Sequence, residues 1–155
     1  MRVGLGVDTH RFAEGRPLIL GGVEIPHARG LAGHSDADVL AHAISDAILG
    51  AAGMGDIGQH FPDTDPRYEG ADSIALLRDV VARVAAAGWA VEHVDATVVM
   101  ERPKLAPHRE AIAARLREAI GASVSVKATT GEGMGFVGRE EGVAALAVAT
   151  LAARG

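Results

Sequence analysis

The chain alternates between segments in which every second residue is apolar and segments in which apolar residues recur every three or four positions. The first period is typical of β-strands and the second of amphipathic helices. Strands are predicted for Arg2 to Asp8, Pro17 to Ile25, Trp89 to Met100 and Val124 to Thr129. The second strand is interrupted by Gly21-Gly22, which predicts a tight hairpin.

Helices are predicted between these strands, over 35–52 and 73–87 and from Pro107 to Gly121. The first would begin at Ser35, with Asp38 three residues later as in a capping box. Its apolar stripe would consist of Ala37, Leu40, Ala41, Ile44, Ile48 and Ala51. His42 lies off this stripe, on a face shared with Asp38 and Asp46, so we expect it outside the main packing seam and free to bind a ligand.

The last segment, 143–153, is a nearly continuous run of Ala, Val and Leu. Alanine would permit a helix, but the valines and the preceding turn favour a buried strand. Strands and helices therefore alternate along the chain, and no shift in composition marks a boundary. This predicts an α/β (α+β) fold with a single domain over residues 1–155.

Composition and charge exclude several classes of protein. The chain has 155 residues, a formal net charge of −5 and no cysteine, so disulfides and thiolate metal sites are excluded. It has no basic stripe for nucleic acid, and no apolar run approaches the ~20 residues needed to span a membrane. The N-terminus lacks the basic-then-apolar plan of a signal peptide. We therefore predict a cytoplasmic protein that binds neither nucleic acid nor membrane.

Asp8, His10 and His42 are the residues best suited to a metal ion. Side chains two apart in a strand point to the same side, so Asp8 and His10 can converge on one ion while His42 approaches from the first helix. Three protein ligands would leave a fourth position open for chemistry. The set suits zinc, manganese and other divalent ions. The same spacing also fits a solvated strand end beside a histidine on a helix surface.

A glycine-rich segment, Lys127 to Arg139, follows the predicted strand 124–129. Its backbone N–H groups could hold phosphate and Glu132 could hold a hard cation such as Mg²⁺, although a plain glycine hairpin fits as well. It matches neither the Walker A pattern nor the dinucleotide fingerprint. His34-Ser35-Asp36 fits either a helix cap or an anion site. The polar loop Asp56 to Asp72 is too long for a simple connector.

Several ordered motifs together resemble the 2-C-methyl-D-erythritol 2,4-cyclodiphosphate synthase family of the non-mevalonate isoprenoid pathway, nearly from end to end. These are Gly6 to His10, Leu20 to Pro26, His34 to Asp38 with His42, Gly55 to Gly58, Phe61 to Asp65, Pro103-Lys104, and Lys127 to Thr130 with Phe136 and Arg139. The resemblance implies an enzyme with a mixed β-sheet and helices packed on one face. It also implies assembly as a homotrimer with active sites between subunits.

The reaction is implied by the same resemblance. In this family the 2-phosphate of 4-diphosphocytidyl-2-C-methyl-D-erythritol 2-phosphate attacks the β-phosphorus of the same molecule, which closes a cyclic diphosphate and expels CMP. Asp8, His10 and His42 would bind Zn²⁺ or another divalent transition metal. Glu132 would hold a Mg²⁺ or Mn²⁺ that bridges the diphosphate. His34 and Thr130 would stabilise the transition state.

Contacts to the substrate carry over from the family residue by residue. On one subunit, the erythritol portion would be held by Ser35, Asp56, Ile57, Gly58, Phe61, Pro62, Asp63, Thr64 and Asp65. On the neighbouring subunit, cytidine and its phosphates would be held by Met100, Glu101, Arg102, Pro103, Lys104, Leu105, Ala106, Thr129 and Gly131, with Phe136 and Arg139 completing the set. The stretch 100–102 is bulkier and more charged than is typical of the family, so the atoms that contact cytosine stay open.

Two hypotheses and two competing functions complete the sequence-based picture. Asp46, one turn from His42, either orients the imidazole of His42 or is a solvated carboxylate on the helix surface. Arg139 and Glu141 would line a channel on the trimer axis where an isoprenoid diphosphate could bind. The competing functions are a zinc phosphohydrolase and a non-catalytic trimeric nucleotide-binding module with a structural metal. The second would require four closed protein ligands, and only three strong candidates are present.

Overall fold

The computed structural model describes residues 1–155 and contains seven strands and five helices. In chain order these are β1 (Arg2–Ala13), β2 (Leu18–Leu20), β3 (Val23–Ile25), β4 (Gly30–Leu31), α1 (Val39–Ala52), α2 (Ile57–His60), α3 (Ser73–Ala86), β5 (Trp89–Val99), α4 (Arg109–Ile120), β6 (Ser123–Thr129), α5 (Gly135–Gly138) and β7 (Gly142–Ala153). Short 3₁₀ turns, Pro66–Tyr68 and Ala106–His108, precede α3 and α4. No helix combines the length and the apolar character needed to cross a membrane.

Five strands form a mixed sheet in the order β4-β1-β7-β5-β6. Strands β5 and β6 are parallel, and the other neighbours are antiparallel. The prediction of a mixed sheet is confirmed. The predicted hairpin is also present, because β2 and β3 pair across Gly21-Gly22, both of which have positive φ. It forms a separate two-stranded sheet.

Helix α1 lies directly on β1 because two glycines remove the side chains that would separate them. A Cβ at Gly6 would lie 1.8 Å from the carbonyl oxygen of Ala43, and one at Gly4 would lie 2.0 Å from that of Ala47. Any larger residue would push the helix away from the sheet. This contact brings His42, the neighbour of Ala43, close to the end of β1 that carries Asp8 and His10.

The apolar side chains of the sheet point to two different environments. On one face, Val94, Ala96 and Val98 of β5 and alternate residues of β7 are buried in the core under α1, α3 and α4. On the other face, apolar side chains of β1 and β7 are exposed, namely Val3, Leu5, Val7, Leu146 and Val148. Helices therefore cover one face only, as predicted. The last segment is a strand, also as predicted, but alternation along it leaves Leu146 and Val148 uncovered.

The prediction that the first helix begins at Ser35 is wrong. The helix begins at Val39, and Asp38 is its N-cap, accepting a hydrogen bond from the Ala41 N–H at 3.0 Å. Ala37 has φ +57°, a left-handed conformation that a helix cannot include. Ser35 and Asp36 instead accept hydrogen bonds from the N–H groups of Ala37 and Asp38, so the segment is a turn.

Candidate active site

Three potential metal ligands converge where β1 meets α1. Asp8 Oδ2 lies 2.9 Å from His10 Nε2 and 3.2 Å from His42 Nδ1, and the two imidazole nitrogens are 3.3 Å apart. Asp8 and His10 stand on the same side of β1, as the two-residue spacing predicted. The convergence of all three side chains, predicted from sequence, is confirmed. We call Asp8, His10 and His42 the triad.

The protonation of the triad follows from its neighbours. His10 Nδ1 lies 2.7 Å from the carbonyl oxygen of Ala32, which can only accept a hydrogen bond, so Nε2 is left to face Asp8. Burial by itself would raise the pKa of Asp8, but the hydrogen bonds and charge of His10 and His42 lower it to about 2. Burial likewise opposes protonation of His10, yet its bond to Asp8 raises its pKa. The Asp8 carboxylate is thus ionised between two imidazoles, and a divalent cation at the triad would displace the proton that Asp8 favours on His10.

His42 is not on the helix surface as expected. Its side chain is buried at 8% exposure, and its Nε2 lies 2.8 Å from Ser73 Oγ on α3 and 3.2 Å from Ser35 Oγ. The apolar stripe predicted one buried face of α1, but α3 packs on the side that carries His42 and buries that side as well. Sequence analysis did not connect Ser73 with His42, since nothing local links the start of α3 to the first turn of α1.

Asp46 does not orient His42. Its carboxylate accepts a hydrogen bond from the Ile57 N–H at 2.8 Å, and no hydrogen bond joins it to His42. Burial raises the pKa of Asp46, and the Ile57 N–H opposes that shift. The residue therefore holds the start of α2 against α1, which fixes the segment that carries Ile57 and Gly58.

A cavity of about 420 Å³ opens beside the triad, and we call it the triad cavity. Besides the triad it is lined by the predicted residues His34, Ser35, Ile57, Gly58, Phe61, Pro62 and Asp63. Its other lining residues, which sequence analysis did not single out, are Gly33, Ser45, Tyr68 and Leu76. The structure thus brings one half of the predicted substrate site together around the triad.

Three predicted substrate residues of the same loop do not line the triad cavity. Asp56 is the N-cap of α2 and accepts the Gln59 N–H at 3.0 Å. Asp65 binds the guanidinium of Arg67 at 2.7 Å, and its carbonyl oxygen lies 3.1 Å from His34 Nε2. Thr64 is exposed between them. In this chain Asp56 and Asp65 therefore shape the loop and position His34.

Phe61 is held in the wall of the triad cavity by α3. The Arg83 guanidinium lies 4.8 Å from the centre of the Phe61 ring, and Tyr68 meets the same ring edge-on. Arg83 also donates to His60 Nδ1 at 2.8 Å, and His60 Nε2 bonds to the carbonyl oxygen of Met54. The loop that carries His60 and Phe61 is therefore held by Arg83 of α3, by Tyr68 and by the Met54 carbonyl oxygen.

A second cavity, of about 180 Å³, lies between the segment after β5 and the end of β6, and we call it the Lys104 cavity. It is lined by Met100, Glu101, Pro103, Lys104, Leu105, Ala106, Ala128, Thr129 and Thr130. Lys104 lines this cavity, is exposed and forms no ion pair within the chain. Most of the predicted cytidine-side residues therefore meet, at a cavity that shares no lining residue with the triad cavity.

The glycine-rich loop does not offer its N–H groups freely to phosphate, contrary to expectation. The Glu101 carboxylate accepts the Gly131 N–H at 2.8 Å and the Gly133 N–H at 3.1 Å. The Glu132 N–H donates to Thr130 Oγ1 at 3.1 Å. Glu132 itself has φ +54°, and the bonds on either side of it hold that left-handed conformation. Its carboxylate remains exposed at the tip of the loop.

Phe136, Arg139 and Glu141 lie apart from the Lys104 cavity. Phe136 and Glu141 line a third cavity of about 310 Å³ with Thr9, His10, Arg11 and Gly142. Arg139 is exposed and pairs with Glu141 at 3.2 Å. Arg102 is exposed on the surface of its segment and does not line the Lys104 cavity.

The fold and the triad together define an α/β protein with a five-stranded mixed sheet and a candidate divalent-metal site beside a cavity of about 420 Å³. The sequence model of the YgbB family matches residues 1–152. The chain belongs to the YgbB family.

Named relatives narrow the identification. The chain is 63% identical over 154 residues to the 2-C-methyl-D-erythritol 2,4-cyclodiphosphate synthase of Salinibacter ruber, covering 97% of this chain and 98% of the relative. It is 61% identical to the synthase of the same name from Pseudomonas paraeruginosa, covering 99% of this chain and all of the relative. The resemblance found from sequence motifs, and the prediction of an enzyme of this family, are confirmed.

Solved structures of relatives have the same fold. The bifunctional IspDF of Campylobacter jejuni matches with a TM-score of 0.93 and 43% identity over 97% of this chain, which spans 42% of that longer protein. A CDP-bound 2C-methyl-D-erythritol-2,4-cyclodiphosphate synthase matches with a TM-score of 0.89 and 40% identity, covering 97% of this chain and 100% of that one.

Proposed function

We propose that residues 1–155 form one domain that converts 4-diphosphocytidyl-2-C-methyl-D-erythritol 2-phosphate to 2-C-methyl-D-erythritol 2,4-cyclodiphosphate and CMP, a lyase step in isoprenoid biosynthesis. The observation that carries the proposal is the triad at the mouth of a 420 Å³ cavity in a chain 63% identical to a named synthase. The attacking phosphate and the β-phosphorus belong to one molecule, so the protein acts mainly by folding the substrate. Such positioning can contribute roughly 7–11 kcal/mol at its ideal limit.

The donor chemistry of the triad fits a divalent transition metal. Two imidazole nitrogens and one carboxylate oxygen lie within 4.8 Å of one another, and no fourth carboxylate, imidazole or thiol joins them. We assign Zn²⁺ to the triad and Mg²⁺ or Mn²⁺ to Glu132. When bound, these cations offset the charge repulsion between two phosphates. The absence of a fourth protein ligand favours a catalytic over a structural metal.

Side chains of the triad cavity orient the erythritol end of the substrate. Ile57, Phe61, Pro62 and Leu76 supply apolar walls that exclude water, and Ser35 and Asp63 supply hydrogen-bonding groups. His34, held by the Asp65 carbonyl oxygen, points its ring into the same cavity and is positioned to stabilise developing negative charge. Exclusion of water matters because water would compete with the tethered phosphate.

The cytidine end requires a neighbouring copy of the chain. The Lys104 cavity and the Glu132 carboxylate lie outside the triad cavity, so one chain contains the two halves of a site at different places. The uncovered apolar face, Val3, Leu5, Val7, Leu146 and Val148, continues across β1 and β7 and is suited to pack against further copies. We assign the homotrimer on this basis, with Thr130 and Lys104 of one copy acting at the triad of the next.

Complementation between two inactive variants tests the shared site. His42→Ala removes a triad ligand and Glu132→Gln removes the second cation ligand, so each homotrimer should be nearly inactive. If sites are shared, trimers assembled from an equal mixture will contain intact sites at about one interface in four, with corresponding recovery of activity. Mixed trimers that stay inactive would show that each chain builds its site alone.

The products distinguish the synthase from a phosphohydrolase built on the same triad. Phosphorus NMR of the cytidyl substrate with Zn²⁺ and Mg²⁺ should show CMP and a cyclic diphosphate in equal amounts. An open-chain phosphate product would indicate hydrolysis. No turnover despite bound metal would favour the non-catalytic nucleotide-binding module.

Two lesser proposals remain from the sequence. An isoprenoid diphosphate could bind on the trimer axis near the third cavity, where Phe136 offers an apolar surface and Arg139 a cation. Arg139 is paired with Glu141 at 3.2 Å and would have to exchange that partner for the diphosphate. The cytoplasmic location stays a prediction.

A further inference from the structure

We propose that Asp36 and Ser73 form a chain of hydrogen bonds, which we call the relay, that fixes the tautomer of His42 and so prepares the triad for its metal. The proposal rests on the assignment of a metal to the triad. Neither residue touches the cavity wall at which the substrate would bind, and neither was singled out from the sequence as acting on His42. They are positioning residues that act through the imidazole.

The first step concerns what Asp36 can do in this position. Its Oδ2 accepts the Ser73 N–H at 3.0 Å, and its Oδ1 accepts the Asp38 N–H at 3.2 Å together with the Ser73 hydroxyl. A carboxylate has no proton to donate. The hydroxyl proton of Ser73 must therefore lie in the bond to Asp36.

The second step follows for His42. Because the Ser73 proton is committed to Asp36, Ser73 Oγ can only accept from His42 Nε2, which lies 2.8 Å away. His42 then carries its proton on Nε2, and Nδ1 presents a lone pair toward Asp8 and His10. That is the nitrogen that a metal in the triad would need.

The relay has a real competitor within the triad. Asp8 Oδ2 lies 3.2 Å from His42 Nδ1 and, without a metal, would favour a proton on that nitrogen. A proton there would block metal binding. The burial of Ser73 at 1% and His42 at 8% keeps water from replacing the Ser73 bond, which gives the relay its influence. The tautomer of His10 is fixed in a similar way, because its Nδ1 donates to the Ala32 carbonyl oxygen and its Nε2 faces the triad. That acceptor is a backbone group, which substitution cannot remove.

Two variants break the relay at different bonds. Ser73→Ala removes the nearer acceptor for His42 Nε2, which leaves only the Ser35 hydroxyl, at 3.2 Å, and that hydroxyl can also donate. Asp36→Asn replaces one of the two accepting oxygens with an N–H₂ donor. With that donor facing Ser73 Oγ, the Ser73 hydroxyl turns to donate to His42. Asp72→Ala is the matched control, because Asp72 caps the same helix by accepting the Ile74 N–H at 2.9 Å and makes no bond to Ser73 or His42.

Metal affinity is the first measurement, by competition with a chelator using Zn²⁺ alone. We expect Ser73→Ala and Asp36→Asn to bind Zn²⁺ about 10–100-fold more weakly than the unmodified protein. Asp72→Ala should lose thermal stability but keep its affinity. Equal affinity in all four proteins would overturn the relay, as would an equal loss in the Asp72→Ala control.

The tautomer is the second measurement, and it requires neither metal nor activity. Long-range proton–nitrogen NMR of the metal-free protein at mildly alkaline pH should show the His42 proton on Nε2, and Asp36→Asn should move it toward Nδ1. A proton on Nδ1 in the unmodified protein would overturn the relay. If the unmodified protein has the Nε2 tautomer but binds no Zn²⁺, the metal assignment fails while the relay stands.

Discussion

The triad cavity and the Lys104 cavity are built in opposite ways. The triad cavity gathers residues from β1, α1, α2 and α3, and its central histidine is fixed by buried hydrogen bonds to Ser73 and Ser35. The Lys104 cavity lies between the segment after β5 and the end of β6, and the Glu101 carboxylate ties that segment to the glycine-rich loop. The triad half of the site is therefore completed by the fold of one chain, whereas the Lys104 half is the part that we propose a neighbouring copy completes.

The largest effect is expected from removing a triad ligand. His42→Ala should lower kcat/KM by roughly a thousandfold, because a metal contributes several kcal/mol of charge stabilisation. Steady-state kinetics and metal analysis of the purified protein check this. His27→Ala, which removes a histidine that stacks on Phe12 away from both cavities, should change neither quantity. Full activity of His42→Ala would refute the role of the triad.

The next largest effect should follow from disrupting assembly. Leu146 is 40% exposed on the uncovered sheet face, so Leu146→Glu should place charges in the proposed trimer interface and separate the subunits. Turnover should fall close to background while Zn²⁺ affinity is retained, because the triad lies within one chain. Sedimentation and kinetics together test this, with Leu146→Ile as control. A monomer with full turnover would show that the Lys104 cavity needs no neighbour.

A smaller effect is expected in the Lys104 half alone. The two carboxylate oxygens of Glu101 accept the N–H groups of Gly131 and Gly133. Glu101→Gln replaces one of these oxygens with an N–H₂ donor, which should loosen the loop that carries Glu132. We expect the Mg²⁺ concentration for half-maximal rate to rise about tenfold, in line with loss of a group that orients a metal ligand, while Zn²⁺ affinity stays unchanged. Glu24→Gln, an exposed residue of β3, is the control. An unchanged Mg²⁺ requirement would mean that the loop holds its shape without Glu101.

The smallest effect concerns pH and the metal-free triad. His10 has a pKa raised above 6.5, because the bond and charge of Asp8 outweigh the effect of burial. Its proton therefore stabilises the folded state fully below pH 6.5, and this contribution is lost as pH rises through the raised pKa. Thermal unfolding in the presence of chelator should show a small decline in Tm over that range. His10→Asn should remove the decline, and a parallel decline in both proteins would contradict the assignment.

Much of the fold was predictable, because the spacing of apolar residues distinguishes helices from strands well in long elements. The order of the long strands and helices, the Gly21-Gly22 hairpin and the strand character of residues 143–153 agree with the structure, whereas the short elements β4, α2 and α5 were not predicted. The start of α1 was not predictable, since Ala37 adopts a left-handed conformation that its residue type disfavours. Asp46 was assigned to His42 because they are one helical turn apart, but the free N–H at the start of α2 bonds to it instead.

By itself the sequence determined which side chains could act: two ligands spaced to share one side of a strand, a third on the following helix, and motifs that place the chain in its family. Only the tertiary structure decided how they act. The glycine-mediated approach of α1 to β1 brings His42 to Asp8 and His10, and α3 brings Ser73 to the far side of that imidazole. The physical reason is that a chain's periodicity specifies which face of an element is apolar or polar, whereas the partner that meets that face comes from residues distant in sequence.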